Sequence, residues 1–208
     1  NLNDKEVGLH LTSGNHTLTG AQALEFLRSR HGVGDGSDLG RITSQQVYLS
    51  SLVRKLESQD TLSNPVTVYK LATAATKSMQ LSSSLDRVDT LVALAQALKG
   101  IPLSRVVFVQ YPGSTAGTGI YTGKVQPNLA LGNQLFGLIR ADQPFAIGKQ
   151  AGNLGSVPAP NPIKSTATPQ PVNTGTAGGK KQVVINNLAG QPADQQTCSK
   201  ANKSNGEG

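Results

Sequence analysis

The residues RSRHGVGDGSDLGRITSQQ, Arg28 to Gln46, hold three arginines, two aspartates, four glycines and two glutamines between two apolar runs. Such a density of charge and glycine suits a junction better than the interior of an element. Upstream, Thr19-Gly20-Ala21-Gln22 reads as a capping box opening a helix that carries Leu24 and Leu27. Downstream, Ile42, Leu49, Leu52, Val53 and Leu56 recur at helical spacing. The polar stretch therefore joins two helices, and the glycines at 32, 34 and 36 allow the first to end abruptly near Leu27.

That ending decides what the arginines can do. Arg28 and Arg30 diverge by about 200° on a helix but share a face of an extended segment, so both address one target only where the helix has stopped. Asp38, Arg41 and Gln45 fall at i, i+3 and i+7, on one face at the start of the second helix. Unpaired backbone N–H groups and the helix dipole favour a phosphate there. Three guanidiniums, whose planar forks form paired charge-assisted bonds, match a pyrophosphate better than a single phosphate or a carboxylate. Asp35 or Asp38 can orient an arginine or accept a cation. The plainer alternative is an Arg28–Asp38 ion pair tying two helices, across a loop whose glycines serve turn geometry alone.

At 208 residues the chain is long enough to bury a core, built from Leu, Val, Ile and Ala, because only four Phe, four Tyr and no Trp are present. The formal charge of +7 is uneven: residues 1–60 hold six Lys/Arg against seven Asp/Glu, and residues 61–208 hold thirteen against five. No run of like charges and no basic stripe appears, so a nucleic-acid partner is not expected. The single cysteine, Cys198, excludes an intrachain disulfide, and His10, His16 and His31 are too irregularly spaced to suggest a metal cluster. No apolar run approaches the roughly 18–20 residues needed to span a bilayer, and no signal peptide is visible. With Asn in first place, these features lead us to expect a piece of a longer protein.

Beyond the junction, Asn64-Pro65 opens a helix through Met79, and Ser84 or Leu85 to Leu98 forms another, stopped by Gly100 and Pro102. RVVFVQY, Arg105 to Tyr111, is the clearest strand. Pro127 to Asp142 reads as a further helix with Leu131, Leu135, Leu138 and Ile139 on one side. Helices with a buried strand point to α/β layering. Residues 151–208 hold six of eleven prolines, eight glycines and no aromatic residue, a composition that argues for a disordered tail. The expected division is thus a folded part, 1–148, and a Pro/Gly/Ser/Thr-rich tail, 149–208, whose only strand-like patch is QVVIN, Gln182 to Asn186.

The pattern Gly8-Leu9-His10-Leu11, Gly14, Leu18-Thr19-Gly20, Ala23-Leu24, Arg28-x-Arg30, Asp38-x-Gly40-Arg41 and Gln45-Gln46 resembles the C-terminal half of the LytR-CpsA-Psr (LCP) family domain. The close likeness covers about residues 8–57, and a looser one continues to about 145. Family members are membrane-anchored enzymes of Gram-positive and actinobacterial envelopes. They transfer a glycopolymer, such as teichoic acid, capsule or arabinogalactan, from a polyprenyl-pyrophosphate carrier to peptidoglycan.

The resemblance implies an α/β/α sandwich, incomplete at its N-terminus, and a place at the extracytoplasmic face of the cell membrane. It implies that Arg28, Arg30 and Arg41 grip the pyrophosphate as catalytic and substrate-binding residues, with Asp38 and Gln45 in the same pocket. Mg²⁺ is the implied cofactor, its aspartate ligands expected in a missing upstream half together with the membrane anchor, so that this chain alone would be inactive. The partners implied are the lipid-linked glycopolymer and the peptidoglycan acceptor. One departure is Ser44, where the family usually has arginine before the glutamine pair. Two rival functions are an envelope-related transcriptional attenuator, disfavoured because no basic recognition helix is visible, and a non-catalytic module that binds lipid pyrophosphate.

Overall fold

The computed structural model describes residues 1–58, 61–148, 155–159 and 181–203. In chain order these form β1 (Leu2–Asp4), β2 (Leu9–Leu11), α1 (Gly20–Arg28), α2 (Asp38–Ser58), α3 (Pro65–Ser78) and α4 (Val88–Lys99). Then follow β3 (Val107–Val109), β4 (Gly113–Ser114), β5 (Gln126–Pro127), α5 (Leu129–Arg140), β6 (Phe145–Ile147), β7 (Ser156–Pro158), β8 (Val183–Ile185), β9 (Gly190–Pro192) and β10 (Thr197–Ser199). The chain adopts the α/β class that its sequence indicates. Among the described residues the strands pair two by two: β1–β2, β3–β9, β4–β5 and β7–β10 antiparallel, and β6–β8 parallel.

Helix starts follow local chemistry. Thr19 caps α1 in the capping box read from the sequence, its side chain accepting from the backbone of Gln22, whose own side chain accepts from the Thr19 N–H. The Asn64 side chain accepts from the N–H groups of Val66 and Thr67, and Pro65 occupies the first helical position of α3, where its missing N–H costs nothing. Asn128 caps α5 in the same way through Leu131 N–H. α4 begins at Val88, later than its apolar pattern suggests, because Ser82 to Asp86 make turns first.

Among the described residues, two apolar clusters join the elements. Leu9 and Leu11 of β2 bury against Phe26 of α1, flanked by Leu2, Val7, Leu18, Leu27 and Tyr48. The α1 face that is buried is Ala23 and Phe26, while Leu24 is about half exposed. The second cluster joins Leu135 of α5 to Ile185 and Leu188, with Val109, Phe145 and Ile147 packed around them. Each such Leu or Ile contributes about 1.5–3 kcal/mol by leaving water.

The second cluster overturns the expectation of a disordered tail from 149 onward. β8 lies beside β6, β9 beside β3, and β10 beside β7. Ile185, Leu188 and Ala193 are among the most buried side chains of the molecule. The proline and glycine count averaged over the segment concealed a few apolar residues placed where the body needs them. Residues 181–203 thus belong to the folded part, and no boundary separates them from it at 148. The remainder of the expected tail, 149–154, 160–180 and 204–208, lies outside the described residues.

α2 is the other correction. Its expected apolar stripe included Leu49 and Leu52, both 40% exposed. The buried positions are instead Leu39, Gly40, Thr43, Ser44, Gln46, Val47 and Ser50. This small and polar stripe admits the backbones of β7, β9 and β10, which pack on α2. A Cβ at Gly155 would stand 2.9 Å from Thr43 Cβ. Arg54, further along α2, donates to the carbonyls of Ala193 and Gln195 at 2.7 and 2.9 Å, pinning the turn before β10. Burial lowers the Arg54 guanidinium from its ordinary value and the charge of Asp194 partly restores it.

Candidate functional site

α1 ends at Arg28, with Ser29 as its C-cap, outside the helical conformation at φ −59° and ψ 130°. The helix therefore stops one residue beyond the place that the arginine spacing requires. Arg28 and Arg30 are both exposed, and Arg28 makes no ion pair or hydrogen bond among the described residues. The Arg28–Asp38 pair weighed as the structural alternative does not form. Arg30 donates from Nε to the Gly36 carbonyl at 3.1 Å, which fixes one edge of its guanidinium against the loop.

The loop turns tightly. Gly36 has φ of +77°, a conformation that side chains disfavour. At Gly32 a Cβ would stand 2.7 Å from the Asn3 carbonyl and 2.9 Å from the Ser29 hydroxyl, so only glycine fits. Asp35 accepts from Ser37 N–H at 3.0 Å, and the Ser37 hydroxyl in turn accepts from Gly40 N–H at 3.2 Å, closing the start of α2.

On α2, Arg41 Nη2 lies 2.7 Å from Asp38, and its Nε is buried without a hydrogen-bond partner. Asp38 thus orients Arg41, one of the two roles open to it in the sequence. Gln45 donates from Nε2 to the Leu27 carbonyl at 2.9 Å. It satisfies a carbonyl of the last turn of α1 and clasps the turn that carries Arg28 to the first turns of the helix that carries Arg41. Ser44, the position at which the sequence departs from the family resemblance, is fully buried with its hydroxyl unpartnered, so it presents no cation.

A residue the sequence did not single out organises the loop. Asp4, at the end of β1, is 2% exposed. Its Oδ2 accepts from the Ser29 hydroxyl at 2.7 Å and from the N–H groups of Arg30 and Gly32, both at 3.1 Å, and its Oδ1 accepts from Glu6 N–H at 3.2 Å. Burial alone would push its carboxyl up, but the hydrogen bonds from Ser29, Gly32, Arg30 and Glu6 outweigh burial and hold it below the ordinary aspartate value. No short motif marks Asp4, because its partners lie across a hairpin and a helix.

Asp4, Glu6 and His31 bring three ligand-type atoms within 4.8 Å of one another, a group that includes neither His10 nor His16. His31 Nδ1 is 3.0 Å from Glu6. The group fits magnesium poorly: that ion takes oxygen ligands in a strict octahedron, and here one donor is a ring nitrogen and Asp4 already accepts four hydrogen bonds. A separate depression of about 600 Å³ lies between α3 and α4, lined by Tyr69, Arg87, Val88, Asp89 and Val92, on elements that carry none of the three arginines. Among the described residues no helix is long and apolar enough to cross a membrane.

The loop that carries Arg30 thus runs between two helices clasped by Gln45, with the positive end of the α2 dipole beside it. The chain belongs to the LytR_cpsA_psr family, whose match covers residues 1–135. It is similar to the cell wall biosynthesis protein LcpA of Corynebacterium glutamicum, an actinobacterium, with 36% identity over 115 residues, 55% of this chain and 21% of the relative. The chain therefore spans about a fifth of that relative's length. No solved structure matches it.

Proposed function

We propose that this chain carries the pyrophosphate-gripping part of an envelope phosphotransferase, one that moves a cell-wall glycopolymer from a polyprenyl-pyrophosphate carrier to peptidoglycan at the extracytoplasmic face of the cell membrane. The observation that carries this reading is the clasp between Gln45 and the Leu27 carbonyl. Through it Arg28, Arg30 and Arg41 issue from one folded junction. Their guanidiniums bind the bridging and terminal phosphate oxygens in paired charge-assisted bonds. As the acceptor hydroxyl attacks and the polyprenyl phosphate departs, they neutralise the charge that develops on the phosphoryl oxygens. The family relationship and the likeness to a cell wall biosynthesis protein support both the polymer and the acceptor class.

Magnesium is the cofactor expected for such chemistry, where it would act as a Lewis acid on the pyrophosphate. In the described site Asp4 is saturated, Asp35 serves the loop and Asp38 serves Arg41. No step is therefore assigned to a metal held by these residues, and the 208-residue chain alone binds the lipid pyrophosphate without efficient transfer.

Titration calorimetry of the chain with geranylgeranyl pyrophosphate and with inorganic pyrophosphate tests the reading. Binding weakened roughly ten- to a hundredfold in Arg28→Ala and in Arg30→Ala is the expected result, and transfer assayed in parallel separates a transferase from a binding module. Equal affinity of the native chain and both variants overturns the assignment.

A further inference from the structure

We infer that Asn202 is a positioning residue for Arg30, acting through the loop between α1 and α2; the inference rests on the function proposed for that junction. The loop is held from two sides. From one side Asp4 grips Ser29, Arg30 and Gly32. From the other, the segment after β10 crosses the loop as a strap. Gly34 N–H donates to the Lys200 carbonyl at 2.7 Å, Val33 and Ala201 form an antiparallel bridge, and Asn202 N–H donates to the Gly32 carbonyl at 3.1 Å.

Asn202 adds a side-chain contact to this backbone pairing. Its Nδ2 donates to the His31 carbonyl at 3.0 Å. A Cβ at Gly36 would stand 2.8 Å from the same Nδ2, so the amide fills the concave side of the turn. Gly36 is the residue whose carbonyl receives Arg30 Nε. Asn202 therefore braces both ends of the turn, His31 by hydrogen bond and Gly36 by contact, and that turn fixes the guanidinium. The strap is anchored at its own base, where Lys200 N–H donates to the Gly155 carbonyl at 2.9 Å and β10 pairs with β7.

An arginine whose Nε is already bonded keeps its fork in one plane, which preserves paired contact with a phosphate at little further entropic cost. Freed from the loop, the same side chain must be ordered by the ligand. The expected consequence of losing the Asn202 amide is a fall in pyrophosphate affinity of roughly two- to tenfold, the effect of one neutral hydrogen bond.

The test uses the full chain with Asn202→Ala, and with Asn202→Asp, which keeps the size of the side chain while removing the donor. The readout is the Arg30 Nε–H signal in ¹H–¹⁵N spectra without ligand, with the Arg54 Nε–H signal as control, followed by titration with inorganic pyrophosphate. Faster solvent exchange of Arg30 Nε–H in both variants, with Arg54 unchanged and the melting temperature close to the native value, supports the inference, as does the accompanying loss of affinity. Unchanged exchange at Arg30 overturns it, whatever the affinity does. Faster exchange at Arg30 in a chain whose native form binds no pyrophosphate supports the positioning role and overturns the proposed function instead. Equal acceleration at Arg54 shows general loosening and overturns a specific role for Asn202.

Discussion

The Oδ2 of Asp4 lies 2.7 Å from the Ser29 hydroxyl, an approach made across 25 residues of sequence. With the N–H groups of Arg30 and Gly32 on the same oxygen, one carboxylate fixes the end of α1 and the loop that follows. Asp4→Asn would turn an amide with two donors toward these three donors. The expected cost is about 1.5–3 kcal/mol, the range for hydrogen bonds to a charged group, read as a lower urea midpoint at pH 7. An unchanged midpoint would show that the loop holds itself.

The same carboxylate gives a pH signature. Its folded-state value is depressed, so its contribution is fully present above the unfolded aspartate value of about 3.9 and is lost as pH falls through the folded value. The native chain and Asp4→Asn should therefore differ most near neutrality and converge in acid. Denaturant midpoints measured from pH 7 down to pH 2 check this, and a gap that widens in acid would contradict it.

Ile185 and Leu188 are 1% and 0% exposed and meet Leu135 of α5. Truncating either to Ala should destabilise the fold by about 2–5 kcal/mol, the usual range for a buried large aliphatic side chain. A chain in which both substitutions leave the thermal midpoint unchanged would mean that β8 and β9 are not part of the folded body.

Those residues also mark where the sequence was legible and where it was not. Thr19 and Asn64 announced their helices because capping is local: donor and acceptor lie within three residues of each other. The arginine junction was legible for the same reason. Asp4, His31 and Asn202 were not, since their partners are brought by pairing across the molecule, 28 residues away for Asp4 and Gly32 and 171 for Asn202 and His31. The C-terminal strands misled because composition averages over a segment, whereas packing needs only Ile185, Leu188 and Ala193 at the right places. α2 misled in the opposite sense: its leucines form a regular stripe, but the chain entering β7 seats on Gly40 and Thr43, where small side chains allow close approach.

Gln45 joins the two helices of the junction by a single bond to the Leu27 carbonyl. Gln45→Ala should cost about 1 kcal/mol of stability, as for one neutral hydrogen bond, and should also weaken pyrophosphate binding, because the turn that carries Arg28 is released. Calorimetric titration beside a denaturation curve separates the two effects. Lost stability with full affinity would place Gln45 in the scaffold alone.

The three arginines should respond differently to substitution, because their surroundings differ. Arg28 has no partner among the described residues, Arg30 is held by its Nε, and Arg41 shares a terminal nitrogen with Asp38. Alanine at Arg28 or Arg30 should lower pyrophosphate affinity by roughly ten- to a hundredfold, the equivalent of one charge-assisted contact. Arg41→Ala should cost less, since part of its guanidinium is already committed to Asp38. Lysine should recover most of the loss at Arg28, where a mobile point charge can follow the phosphate. At Arg30 it should recover little, because an ammonium cannot hold the Gly36 carbonyl and offer a fork at once. Affinities measured between low and moderate salt would separate simple charge from geometry: a lysine that matches arginine only at low ionic strength acts by charge alone. Full recovery by Arg30→Lys at all salt concentrations would show that the hydrogen bond to Gly36 does not shape the site.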